Sequence, residues 1–111
     1  MAFSATTEVT SGIARITLAG ELDASSAPDF KAAIESIVGQ RPRSLVLLMK
    51  ELEYMASAGL RVLIFAKQKL GVGTDLFIVG AQPSIVETLQ MTGFHHSAVL
   101  LDEYDAARIE Q

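Results

Sequence analysis

Residues Ser44–Leu70 read SLVLLMKELEYMASAGLRVLIFAKQKL. Leu45 to Met49 is an apolar run of the length of a buried strand, Lys50 and Glu51 read as a charged turn, and Ser57-Ala58-Gly59 opens a helical pattern that runs to Leu70. Nearly every residue of the strand is apolar, which implies cover on both faces, as in a parallel sheet. At 100° per residue, Val62, Leu63, Ala66 and Leu70 fall on one stripe, with Arg61, Gln68 and Lys69 opposite. Phe65 lies between Arg61 and Lys69 on the polar side. Either a neighbouring helix covers it or it belongs to an exposed apolar patch beside Ser57.

The segments on either side extend the pattern. Phe3, Ala5, Thr7 and Val9 alternate with polar residues, Ser11-Gly12 turns the chain, and Ile13, Ile16 and Leu18 lie in a second extended run, which predicts an antiparallel hairpin. Glu21-Leu22-Asp23-Ala24-Ser25 reads as a short loop. Ser26 with Asp29 then resembles a capping box with a shortened acid, and Pro28 sits just inside the helix it opens. Phe30, Ala33, Ile34, Ile37 and Val38 keep to one helical face, and Gly39 supplies a stop. Beyond Leu70, Gly71 to Gly73 ends the second helix and Leu76 to Val79 forms another buried strand. Pro83 starts a third helix that stops at Gly93, Ala98 to Leu101 is a short strand, and Asp102 begins a last helix. The predicted order is ββαβαβαβα in a single domain over residues 1–111: an α/β fold with a mostly parallel sheet, right-handed crossovers and one antiparallel edge.

Half of the 111 residues are apolar, enough for a core without staples, and there is no cysteine, which excludes disulfides and thiolate metal sites. The formal charge of -4 opposes nucleic-acid and anionic-membrane binding. The N-terminus lacks the basic start and apolar segment of a secretion signal, and no apolar run approaches the ~20 residues that span a bilayer. The expectation is a soluble cytoplasmic protein, monomeric or weakly dimeric.

Ser57, Asp75 and His95 occur in the chain order of the α/β hydrolases, but Met55 stands where the nucleophile elbow needs glycine. Asp75 also begins a strand at the opposite edge of the sheet from Ser57, roughly 15 to 20 Å away. His95 and His96 are adjacent and diverge, with no third ligand at a metal-binding spacing. Gly71-Val72-Gly73 precedes a strand instead of opening a helix, so it is a turn and not a phosphate loop. No catalytic residue, metal or cofactor is expected. Ser57 itself has two compatible readings: a helix N-cap, worth ~1 kcal/mol, or a hydroxyl poised at a positive helix end to accept a phosphate.

The chain resembles the STAS domains of bacterial anti-sigma factor antagonists nearly end to end. Gly20-Glu21-Leu22-Asp23 looks like that family's G-x-L-D segment, and Leu52 to Leu60 resembles its signature, usually written with a D-S-S-G-L core. Val79-Gly80, with Leu89, Thr92 and Gly93, resembles its later landmarks. The resemblance implies a non-enzymatic switch that binds a serine-kinase anti-sigma factor when unmodified, lets go when phosphorylated on the signature serine, and is reset by a serine phosphatase. Carried over by position, the phosphoacceptor is Ser57. The docking surface is expected at Met55, Ala56, Ala58, Gly59 and Leu60, beside a flexible loop at Asp23, Ser25 and Ser26, with Arg61 and Phe65 adjoining. Arg61 is either solvated or leans back to pair with the phosphate. Ala56, Ala58 and Leu48 replace residues that are Asp, Ser and Asp in many members. That departure fits an alternative role, a constitutive, unphosphorylated interaction module in a signalling or transport complex.

Overall fold

The structure, a computed structural model, describes residues 2–111. Its elements are β1 (Ser4–Thr10), β2 (Ile13–Leu22), α1 (Ala27–Val38), β3 (Ser44–Met55), α2 (Ser57–Leu70), β4 (Asp75–Val79), α3 (Pro83–Met91), a 3-10 turn (Phe94–His96), β5 (Val99–Leu101) and α4 (Ala106–Ile109). This is the predicted ββαβαβαβα order. The strands lie side by side as β1-β2-β3-β4-β5, with β1 antiparallel to β2 and every other pair parallel. The β1–β2 connection is the two residues Ser11 and Gly12, both at positive φ (55° and 78°), the conformation whose twist matches a tight hairpin.

Because the crossovers from β2 to β5 all step in one direction across the sheet, right-handedness sends α1, α2 and α3 to the same face. Between those helices and the sheet lies the main core, with Ile16, Leu18, Phe30, Ile34, Leu47, Leu63 and Ile78 fully buried. Alternate residues of the same strands, Ile13, Val46, Phe77 and Val79, face the other way, where Ile109 of α4 and Tyr104 cover them. The two-sided burial expected of β3 is therefore met by helices on one face and the C-terminal segment on the other. That segment is tied down by polar contacts. The Arg15 guanidinium donates to the Tyr104 hydroxyl (2.7 Å) and to Glu110 (3.0 Å), Tyr104 donates to Glu110, and Arg43 reaches the carbonyl of Gln111.

Four local expectations are corrected. Lys50 and Glu51 are not a turn; they lie inside β3, which runs unbroken to Met55. Two register shifts against β2 put extra residues into β3, so inward positions fall at Met49, Leu52 and Met55 with two exposed residues between each. That spacing of three hides a bulged strand from any period-2 reading. Glu21 and Leu22 belong to β2 and not to a loop. Ser26 is the N-cap residue of α1 but makes no side-chain cap, because its hydroxyl is turned back into the preceding loop. The last helix is a single turn capped by Asp105, whose carboxylate accepts from the Arg108 N–H, and does not start at Asp102.

Candidate functional site

β4 pairs with β3 only as far as Leu48, and β1 pairs with β2 only as far as Ala19. Past those points the sheet narrows to a two-stranded ribbon, Gly20–Leu22 against Leu52–Met55, standing at the carboxyl ends of two parallel strands. In open parallel sheets that end is where binding loops gather. The ribbon delivers two chain segments side by side, the Asp23–Ser26 loop and the start of α2, and the Ala56 N–H donates to the Leu22 carbonyl (2.8 Å) to hold them together.

Ser57 is solvent-exposed. It is not the N-cap: Ala56 holds that position with extended backbone (φ -83°, ψ 173°), and Ser57 is the first residue of α2. The cap therefore offers no side-chain acceptor, and the first turn contains no acid. A helix of fourteen residues thus begins with no side-chain cap and no acid in its first turn to offset its positive dipole end, and a hydroxyl stands directly on it. Of the cap and phosphoacceptor readings of Ser57, the first does not hold.

The neighbouring residues divide into those that shape the surface and those that form it. Met55 and Gly59 are buried. A Cβ on Gly59 would stand 2.7 Å from Leu22 Cγ and Cδ2 and 2.8 Å from Met55 Cγ, so glycine is what lets α2 sit down on the ribbon. Ala56, Ala58 and Leu60 are half-buried and Arg61 is exposed, which leaves a small surface of short side chains around Ser57. Phe65 is half-buried in the seam between α1 and α2. Lys31 Nζ lies 4.8 Å and Lys69 Nζ 5.7 Å from its ring centre, and with Ala24, Pro28 and Ala58 it lines an open depression of about 470 Å³. Both earlier accounts of Phe65 hold in part, since α1 flanks it and it also adjoins Ala58.

The Asp23–Ser26 loop, expected to be flexible, is hydrogen-bonded within itself. Asp23 Oδ1 accepts from the Ser25 hydroxyl (2.7 Å), the Ser25 N–H (3.0 Å) and the Ser26 N–H (3.2 Å), while the buried Ser26 hydroxyl donates to the Glu21 carbonyl (2.9 Å) and accepts from the Asp23 N–H (2.9 Å). These bonds, the Ser25 hydroxyl's first, hold the Asp23 carboxyl below its ordinary pKa. The turn is stiffened from within.

Other candidate residues are not assembled with Ser57. Asp75 pairs with Ser44, at the far end of β3, and His95 sits in the 3-10 turn with its Nδ1 against the Leu89 carbonyl (3.4 Å). His95 and His96 stack on each other (3.9 Å between ring centres), and among the described residues no cluster of three metal-ligating side chains exists. Among the described residues no helix is long and apolar enough to cross a membrane. Sequence reading passed over Lys31, although its place four residues after Ala27 and three before Ile34 put it on the edge of the buried face.

Residues 4–107 match the family model described as the STAS domain, and the chain belongs to that family. Over 68 residues it is 29% identical to the anti-sigma-F factor antagonist RsfB of Mycobacterium tuberculosis, covering 61% of this chain and 56% of that protein, so the match spans little more than half of the relative. Over 78 residues it is 33% identical to the candidate anti-sigma factor antagonist BtrV of Bordetella bronchiseptica, covering 69% of this chain and 67% of that one. A crystal structure of an anti-sigma factor antagonist from Mycobacterium paratuberculosis superposes with a TM-score of 0.89 at 25% identity, covering 99% of this chain and 96% of the other. Bacillus SpoIIAA, 21% identical, shares the fold in both its unphosphorylated form (TM-score 0.75, 98% and 96% covered) and its phosphorylated form (0.73, 98% and 97%).

Proposed function

We propose that this chain is an anti-sigma factor antagonist that works by partner switching in the cytoplasm. With Ser57 unmodified it binds a serine-kinase anti-sigma factor. Phosphorylation of Ser57 by that kinase releases it, and a serine phosphatase restores the hydroxyl. The role is non-enzymatic.

The observation that carries this reading is the exposed Ser57 hydroxyl on the uncapped first turn of α2, among the short side chains of Ala56 and Ala58. Short apolar neighbours let a partner approach closely and exclude water. A phosphate there adds about -1.5 to -2 charge at neutral pH, and burying that charge in the contact with no counter-charge from the partner costs several kcal/mol, enough for release. The fold has no need to move, because an exposed helix-start side chain takes the group into solvent. The SpoIIAA likeness in both phosphorylation states agrees with a modification that leaves the architecture in place.

Intact-mass measurement of the protein from its native host tests the switch: a fraction heavier by one phosphate, mapped to Ser57, supports it. Co-purification of a kinase-type anti-sigma factor that survives Ser57→Ala and fails with Ser57→Asp supports it further. The second reading, a constitutive module, draws on Ala56 and Ala58, which leave no acid or second hydroxyl beside Ser57. It predicts no phosphate under any growth condition and a complex indifferent to Ser57→Asp.

A further inference from the structure

The net charge of -4 conceals a segregation that only the fold produces. Three depressions follow one another along the seam between α1 and α2, joined by shared walls at Phe65, Val38 and Lys69. Of the nine lysines and arginines, five line them: Lys31, Arg41, Arg43, Arg61 and Lys69. Of the thirteen acids, Glu35 alone does among the described residues. Asp29, the other acid of α1, lies about 160° round the helix from Lys31 at 100° per residue. Among the described residues, Lys31, Arg41, Arg61 and Lys69 make no ion pair within 4.0 Å; Lys31 and Lys69 instead lie over the Phe65 ring.

We infer that this seam receives an acidic, apolar-anchored polypeptide segment of the protein's partner, with Phe65 as the floor for its apolar side chain and the unpaired cations as its rails. The inference rests on the reading of this chain as a docking domain and extends the contact from Ser57 down the length of α1, about 18 Å at 1.5 Å per residue. Charge complementarity names the partner's sign. Shape names its class: the seam is long, shallow and open, without the enclosure and convergent buried polar groups that orient a small molecule. A long polyanion such as nucleic acid fits poorly, because the rest of the surface carries the compensating acids that would repel it. The two sites are physically linked. Ala58 and Arg61, one and four residues past Ser57, wall the first depression, so a phosphate on Ser57 places negative charge at the mouth of the seam and weakens the same attraction.

The test uses the full chain, isotope-labelled, titrated with an amphipathic acidic peptide of alternating Glu- and Leu-rich turns, its Lys-for-Glu counterpart, an oligonucleotide, phosphatidylglycerol vesicles and the purified anti-sigma factor. Amide signals of Lys31, Val38, Phe65 and Lys69 are expected to move with the acidic peptide and with the anti-sigma factor, and not with the others. Lys31→Glu with Lys69→Glu is expected to weaken both by roughly tenfold, since reversing charges at a contact sets like against like. Both positions are exposed, and unchanged thermal unfolding of the variant shows that the loss is not misfolding. The inference is overturned if the acidic peptide leaves those signals still, if the oligonucleotide or vesicles move them instead, or if charge reversal changes nothing. An anti-sigma factor that binds while leaving the seam signals unmoved refutes the seam alone. A peptide that seats in the seam while the anti-sigma factor does not bind refutes the antagonist reading alone.

Discussion

Gly59→Ala adds a single methyl group where the structure leaves no room for one. Gly59 lies in the first turn of α2 with φ outside the left-handed region, so alanine suits the backbone and, judged by helix propensity alone, stabilises by up to about 1 kcal/mol. Space decides otherwise. The new carbon would stand 2.7 Å from two atoms of Leu22 and 2.8 Å from Met55 Cγ, when carbon atoms rest at about 3.5–4.0 Å. Met55 has rotamers to yield with, but Leu22 is fully buried. Relieving the contact takes a shift of about 1 Å, and overpacking of this kind costs about 1–3 kcal/mol. A first-turn position realises only part of the interior propensity gain, so the expected net loss is about 1–2 kcal/mol, or about 4–8 °C in melting temperature for a domain of this size. Urea unfolding with unchanged m-value measures it. The same substitution made on top of Leu22→Ala, which removes the main obstacle, should cost close to nothing. A Gly59→Ala protein as stable as the parent, or an equal loss in both backgrounds, refutes the packing account.

Arg61→Ala is expected to lower the stability of the Ser57-phosphorylated form by about 0.5–1 kcal/mol relative to the unmodified form, the scale of an exposed charge pair one helical turn apart; equal losses in the two forms exclude a phosphate–Arg61 contact. Asp23 has its pKa lowered by the Ser25 and Ser26 hydrogen bonds, so its contribution is fully present above the ordinary aspartate value of about 3.8 and is lost as pH falls through the depressed folded value. A titration followed at the Ser25 and Ser26 amides should show a midpoint below 3.8, and a midpoint at or above it contradicts the bonding described. Ile109→Ala should cost about 2–4 kcal/mol, since Ile109 is 1% exposed against the rear of the sheet, and should speed amide exchange in β4 and β5; a loss under 0.5 kcal/mol would mean that α4 is not part of the folded core.

Local chemistry determined much of this protein. Alternation, helical faces and turn residues such as Ser11-Gly12 and Pro83 were enough to predict the element order, because each depends on neighbours within a few residues. The helix start at Ser57 was legible for the same reason. What lay beyond sequence was whatever depends on a partner strand or on a distant segment. The bulges that carry β3 through Lys50 and Glu51 exist only against β2. The Ser26 hydroxyl abandons its helix for the Glu21 carbonyl once the ribbon forms, and the rear of the sheet finds its cover in Ile109. Charge shows the division most plainly. Counting residues gives one acidic chain, whereas folding collects five of its cations along the seam of α1, α2 and the linker after α1, because which side chains become neighbours is fixed by packing and not by their order.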